Sequence, residues 1–178
     1  PRIKARLRKN RQVLSKNIDN FFGWIKGAKL VELKECNTQE DPVRPELDNN
    51  FRTGYGRKIY GVEYLGEIHA VMCFAYTNKI PKSVDELEKL STDAFLQSAM
   101  RDQSGGQIAI AYTVWSKKKG GGKLIVKEVF KKIKKSNHLN RLVTLSPLTD
   151  MATKFHTRNG AKLIQINEKT QNFEYKVI

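Results

Sequence analysis

QIAIAYTVWSKKKGGGKLIVKEVFKKIKKS, residues 107–136, reads as a strand, a glycine-rich turn and a helix. Ile108, Ala109, Ile110, Ala111, Tyr112, Thr113, Val114 and Trp115 form an unbroken apolar, β-favouring run, the pattern of a central strand covered on both faces. Lys117, Lys118, Lys119, Gly120, Gly121 and Gly122 come next. Beyond them Leu124, Ile125, Val129 and Ile133 share one face of a helix, while Lys123, Lys127, Lys131, Lys134 and Lys135 fall mostly on the other. Glycines between a strand and a helix let main-chain N–H groups approach an anion, and the helix N-terminus adds partial positive charge. The stretch therefore suits a phosphate or pyrophosphate. A flexible basic loop is the other reading of the same residues.

The turn lacks G-x-x-x-x-G-K-[ST] and G-x-G-x-x-G, so neither a nucleotide-hydrolysing loop nor a dinucleotide fold is supported. Residues 117–122 do fit a basic or amide residue, two spacers, Gly, a spacer, then Gly or Ala. That pattern resembles the pyrophosphate loop of the GNAT (N-acetyltransferase) superfamily, whose members bind acetyl-CoA there.

Composition bounds the remaining classes. A chain of 178 residues is long enough for one domain with a substantial core. Lys and Arg number 33 against 18 Asp and Glu, a formal net charge of +15, which favours anionic partners. No apolar run approaches the roughly 20 residues needed to cross a membrane, and the basic first residues are not followed by a signal-like apolar stretch. Cys36 and Cys73 supply neither a disulfide framework nor a metal-binding spacing, so no metal is expected and a cytoplasmic location is the simple reading.

Along the chain, residues 1–16 carry Arg2, Lys4, Arg6, Arg8, Lys9, Arg11 and Lys16 with no acid, a basic N-terminal arm. A helical pattern starts at Asn17, with Ile18, Phe21, Phe22 and Ile25 at helical spacing. Residues 28–35 suit a first strand or a helix extension, and 36–53 read as a loop rich in Asn, Asp and Pro. Residues 57–77 predict a β-hairpin turning near Gly66, with His69 on a face with Val71, Cys73 and Ala75. Residues 78–106 predict a helical insertion between strands, with Ser83 as N-cap and a second helical piece over 92–100. A buried strand over 141–145, a helix over 150–158 ended by Asn159-Gly160, and a final hairpin complete the order.

This order matches the GNAT fold over nearly the whole chain. The implied architecture is α+β, a central mixed sheet flanked by helices in one domain over 1–178. Family members carry A-x-x-L-Y-x-x-x-G-F near the end of their last helix. Ala152, His156, Gly160 and Ala161 occupy the Ala, Tyr, Gly and Phe positions here, so histidine replaces tyrosine and alanine replaces phenylalanine. The run Leu145-Ser146-Pro147, with Phe155-His156, Asn159-Gly160-Ala161 and Ile166-Asn167, is similar to the C-terminal part of malonyl-CoA decarboxylases. Those enzymes place a serine and a histidine at these motifs. The similarity covers about the last 35 residues.

The resemblance implies an acyl-CoA, acetyl-CoA first, as co-substrate of an N-acyltransferase. Main-chain groups of Tyr112, Thr113, Val114 and Trp115 would hold the pantetheine, with the N–H of Val114 polarising the thioester carbonyl. Residues Lys117, Lys118, Lys119, Gly120, Gly121, Gly122 and Lys123 would hold the pyrophosphate. His156, as an imidazolium, would protonate the departing thiolate. Ser146 would bind acceptor or CoA. His69, Glu63 and Glu67 are the candidate bases for an acceptor amine. The basic surplus leaves nucleic-acid (DNA or RNA base) modification as the alternative, followed by decarboxylation of a malonyl-type thioester and by a non-catalytic basic binding module.

Overall fold

The computed structural model describes residues 27–100 and 105–176. The basic arm and the helix expected from Asn17 lie outside the described residues. Among those described, eight strands form one mixed sheet in the order β1-β2-β3-β4-β5-β8-β6, with β7 paired to β8. Four helices flank it: α1 (Asn49–Thr53), α2 (Val84–Met100), α3 (Gly121–Lys134) and α4 (Asp150–Arg158).

Strand β1 (Lys29–Leu33) settles the open choice at 28–35 in favour of a strand, antiparallel to β2 (Lys58–Tyr64). β2 and β3 (Glu67–Thr77) form the expected hairpin. Its two-residue loop has Leu65 at φ 50° and Gly66 at φ 80°, both left-handed, as a tight turn between right-twisted strands requires. β3 runs antiparallel to β4 (Ile108–Ser116), and β4 is parallel to β5 (Arg141–Thr144). A parallel pair needs a crossover, and α3 supplies it. β6 (Ser146–Pro147) and β7 (Lys162–Ile166) both pair with β8 (Thr170–Tyr175).

Strand alternation divides the core into two layers. Val62, Ala70, Met72, Phe74 and Ala109 meet the apolar stripe of α3, Leu124, Ile125, Val129 and Ile133. Ile59, Val71, Cys73, Ala75 and Ile110 form the opposite layer with Leu87 of α2. The central strand is thus covered on both faces, as its unbroken apolar run predicts.

Two segments differ from the sequence expectation. Residues 84–100 form one helix, not two pieces. Ser83 Oγ accepts from Glu86 N at 3.1 Å, and Leu87, Ser91, Ala94 and Ser98 make one continuous buried stripe with no Gly or Pro to interrupt it. The segment read as a loop holds a 3₁₀ turn (Thr38–Glu40) and α1. Asp48 caps α1 by accepting from Phe51 N at 2.8 Å, a local signal present in the sequence.

Candidate active site

The site begins where β4 and β5 part. Their pairing stops at Ala111 and Thr144, with one further bond from Leu145 N to Ala111 O at 2.9 Å. β5 then gives way to β6, whose Ser146 pairs with Gln171 of β8 instead. Among the described residues, the main chain of β4 beyond Ala111 has no strand partner on that side. On its other side a bulge interrupts the ladder to β3: Cys73 faces Thr113 and Phe74 faces Ala111, leaving Tyr112 as the extra residue. Bulges raise twist and bend a strand, which opens the wedge. A cavity of about 520 Å³ fills it, within the range of small-molecule sites. Tyr112, Thr113, Val114 and Trp115 of β4 line one side, and Leu145, Ser146, Phe155 and His156 line the other.

At the far end of β4 lies the glycine turn. Gly120 sits at φ 84°, in the left-handed region, and caps α3 without a side-chain hydrogen bond. The first N–H groups of the helix therefore receive no capping side chain, and Gly122 lines the cavity directly. Gly121 N donates to Lys118 O at 3.0 Å, closing the turn. A Cβ at Gly121 would collide with Ser116 Oγ, and one at Gly122 would lie 2.9 Å from Phe155 Cε2. The glycines are thus required by close packing as well as by turn geometry. Lys118, Lys119 and Lys123 are exposed around this turn, and Lys117 Nζ pairs with Glu40 Oε2 at 2.8 Å.

His156 and Ser146 stand in the same cavity wall. Thr149 caps α4 through Ala152 N at 3.2 Å, and Gly160 at φ 92° follows its end. Near the helix C-terminus the His156 ring is buried, stacked on Phe173 at 5.2 Å and edge-on to Phe155 at 5.1 Å. Its Nδ1 is 2.8 Å from the Tyr175 hydroxyl. Burial lowers the His156 pKa to about 4 and raises that of Tyr175. The imidazole is therefore neutral near pH 7. This corrects the expected imidazolium: with the charged form so scarce, protonating a thiolate is not a role its resting state suits. A neutral ring fixed by Tyr175 offers one hydrogen-bonding nitrogen instead. Ser146 Oγ shares a 2.8 Å hydrogen bond with Thr144 Oγ1, and both are buried.

Behind β4, on the side away from α3, a buried polar cluster holds the strand. Asp41 accepts from Thr113 Oγ1 at 2.7 Å and from the N–H groups of Val43 and Arg44 at 2.9 and 3.1 Å. Arg52 of α1, fully buried, lies 2.9 Å from Asp41 Oδ2 and donates to Arg44 O at 2.8 Å. Arg44 donates to Leu145 O at 2.9 Å. The segment 41–52 thereby ties both walls of the opening together. Sequence reasoning left its role open. The available signals were Asp41-Pro42, Arg44-Pro45 and the Asp48 cap.

His69 takes a different place from Ser146 and His156. The β2–β3 register passes from Val62–Ala70 to Glu63–Ile68, so His69 is the bulged residue and simple alternation does not set its face. Its ring lies edge-on to Tyr64 at 5.7 Å and its Nε2 is 3.9 Å from Glu67. The side chains of His69, Glu63 and Glu67 do not line the cavity. The His69 carbonyl instead accepts from Lys117 N at 2.8 Å and anchors the entry to the glycine turn. Glu40 is the carboxylate that does line the cavity, a residue the sequence did not single out. Among the described residues no group of three or more His, Cys, Asp or Glu is placed to hold a metal ion, and no helix is long and apolar enough to cross a membrane.

No protein-family model and no curated protein matches this chain. Solved structures do. A GNAT-like decarboxylase, GphF, in complex with isobutyryl-CoA superposes with TM-score 0.64 at 10% identity, over 83% of this chain and 98% of that one. A Bacillus subtilis acetyltransferase in complex with CoA gives 0.57 at 12% identity, over 85% and 99%. Malonyl-CoA decarboxylase from Cupriavidus metallidurans gives 0.50 at 16% identity, over 81% of this chain but only 38% of the larger enzyme. The mixed sheet with its flanking helices is thus a GNAT-like fold.

Proposed function

We propose that this chain binds an acyl-CoA in the opening between β4 and β5 and removes CO₂ from an α-carboxyacyl thioester of the malonyl type. The observation that carries the reading is Ser146 and His156 lining one largely apolar cavity beside unpaired main chain of β4, with the imidazole neutral. The similarity of their motifs to malonyl-CoA decarboxylases, and of the fold to a GNAT-like decarboxylase, points the same way. The thioester would lie along Tyr112 to Trp115 and the diphosphate against Gly120, Gly121 and Gly122, with Lys118, Lys119 and Lys123 nearby.

In the reaction the bond between the carboxylate carbon and the α-carbon breaks. Its electron pair passes to the α-carbon and on to the thioester oxygen, and CO₂ departs. The α-carbon then takes a proton that comes ultimately from water. The N–H of Val114 would stabilise the developing enolate oxygen as a fixed dipole. Ser146 and the free nitrogen of His156 would hold the carboxylate in line. Trp115, Leu145 and Phe155 keep water from solvating that carboxylate, which favours loss of its charge as CO₂.

Transfer of an acetyl group from acetyl-CoA to an amine is the second reading. Glu40 favours it, since a carboxylate at the cavity can receive an amine proton. Glu40 also pairs with Lys117 Nζ at 2.8 Å. Neither the cavity nor the structural similarities favour nucleic acid as substrate. The test is mass spectrometry of malonyl-CoA incubated with the full chain. Conversion to acetyl-CoA, slowed about 100-fold or more by Ser146→Ala or His156→Ala, is expected. Intact malonyl-CoA, together with acylated amine products from acetyl-CoA, would establish the second reading.

A further inference from the structure

A second cavity, of about 740 Å³, opens at the opposite end of β4 from the acyl-CoA cleft. Ala109, near the start of the strand, lines it, whereas the cleft takes Ala111 to Ser116. It lies against the C-terminal end of α3, at Val129, Lys132 and Ile133, while the glycine turn is at that helix's N-terminus. Fourteen helical residues put roughly 20 Å between these ends. The cavity is therefore separate from the site already described.

Its lining has two properties together. Five aromatic rings contribute: Tyr55, Tyr60, Phe74, Tyr76 and Phe95. Two edge contacts hold four of them, Tyr60 with Phe74 at 5.9 Å and Tyr55 with Phe95 at 6.1 Å. The second property is positive charge with no acidic lining residue among those described. Lys58, Lys132 and Lys135 line the cavity. Lys58 is neutralised from outside by Glu32 at 2.9 Å. Lys132 and Lys135 have no acidic partner among the described residues. The ammonium of Lys132 lies 5.4 Å from the Tyr60 ring centroid, which places its charge over the aromatic wall. Ser91 and Ser98, both buried in α2, add hydroxyl groups.

We infer that this cavity is a binding site for a planar aromatic molecule carrying an anionic phosphate or carboxylate group. The ring would lie against the exposed Tyr55 and Phe95, with the buried Tyr60 and Phe74 beneath, and the anion would meet Lys132 with Lys135 beside it. Volume and lining both fit: small-molecule sites have this size, with apolar walls and a few polar groups that fix orientation. An apolar ligand without charge would leave Lys132 without an acidic partner among the described residues, and a small inorganic anion would leave the aromatic walls uncovered.

The experiment is ¹⁹F NMR on the full chain with 4-fluorophenyl phosphate, 4-fluorobenzoate and the neutral 4-fluorobenzyl alcohol as probes. At least one anion should bind at least tenfold more tightly than the alcohol, and saturating CoA should not displace it. Lys132→Met, which keeps the apolar stem, should remove that preference while leaving the melting temperature and the CoA-induced shift unchanged. Displacement by CoA would assign the binding to the cleft and overturn the inference. Equal binding of the neutral probe, an unaltered preference in Lys132→Met, or no binding by either anion would also overturn it.

Discussion

At the scale of single residues, burial decides more than identity does. His156 was readable as a candidate from its motif, but its charge state was not. Withdrawal from water holds its pKa at about 4. A histidine whose folded pKa lies below its unfolded value takes up its proton more readily in the unfolded chain. Its contribution to stability is therefore complete above about pH 6.5 and is lost as pH falls towards 4, an effect of about 3 kcal/mol. Urea midpoints between pH 7 and pH 4.5 should fall in the native chain, and His156→Gln should flatten that slope. Turnover should persist from pH 7 to pH 5; an activity that collapses near pH 6.5 would show that the ring titrates as an exposed histidine. The cysteines split in the same way. A hydrogen bond with the Cys73 thiol lowers half-buried Cys36 to about 7, whereas burial pushes the Cys73 thiol well up. Iodoacetamide at neutral pH should modify Cys36 well before Cys73, as peptide mass mapping would show.

At the scale of elements, the turn before α3 and the cluster behind β4 position the cleft. Gly121→Ala would set a Cβ against Ser116 Oγ and 3.1 Å from the His69 carbonyl. Overpacking of this kind costs about 1–3 kcal/mol, and the rise in melting temperature on adding acetyl-CoA should shrink or vanish. Gly66→Ala is the control, since a Cβ there meets nothing, although its φ of 80° makes it mildly strained. Asp41→Ala would leave Arg52 buried without its anion, at a cost of about 3–5 kcal/mol. Thr113→Val removes only a hydroxyl donor to Asp41 and should cost about 1–2 kcal/mol. Chemical denaturation of the two variants orders these effects. A smaller loss for Asp41→Ala than for Thr113→Val would deny the ion pair its structural role. The turn was legible because glycine after a strand has a local meaning. The cluster was not, because Asp41, Arg52 and Thr113 meet only across distant parts of the chain.

At the scale of the whole molecule, the net charge of +15 acts on encounter with an anionic substrate. The kcat/KM for an acyl-CoA should fall several-fold, on the order of threefold or more, as salt rises from low to physiological strength and the Debye length shortens to about 8 Å. A flat dependence measured by stopped flow would mean that the lysines of α3 stand too far from the cleft to steer. The sequence by itself determined the β2–β3 hairpin, the buried central strand, the glycine turn and the helix after it, and it marked Ser146 and His156 as candidates. Each is written in patterns spanning a few adjacent residues, namely strand alternation, helical spacing and turn chemistry. Only the tertiary structure decided where the main chain of β4 lies open, since that follows from a bulge against β3 and from the partner switch after β5. It also decided which side chains share the opening and that His156 is neutral there. Desolvation and long-range contact depend on what surrounds a residue in space, and no local pattern records that.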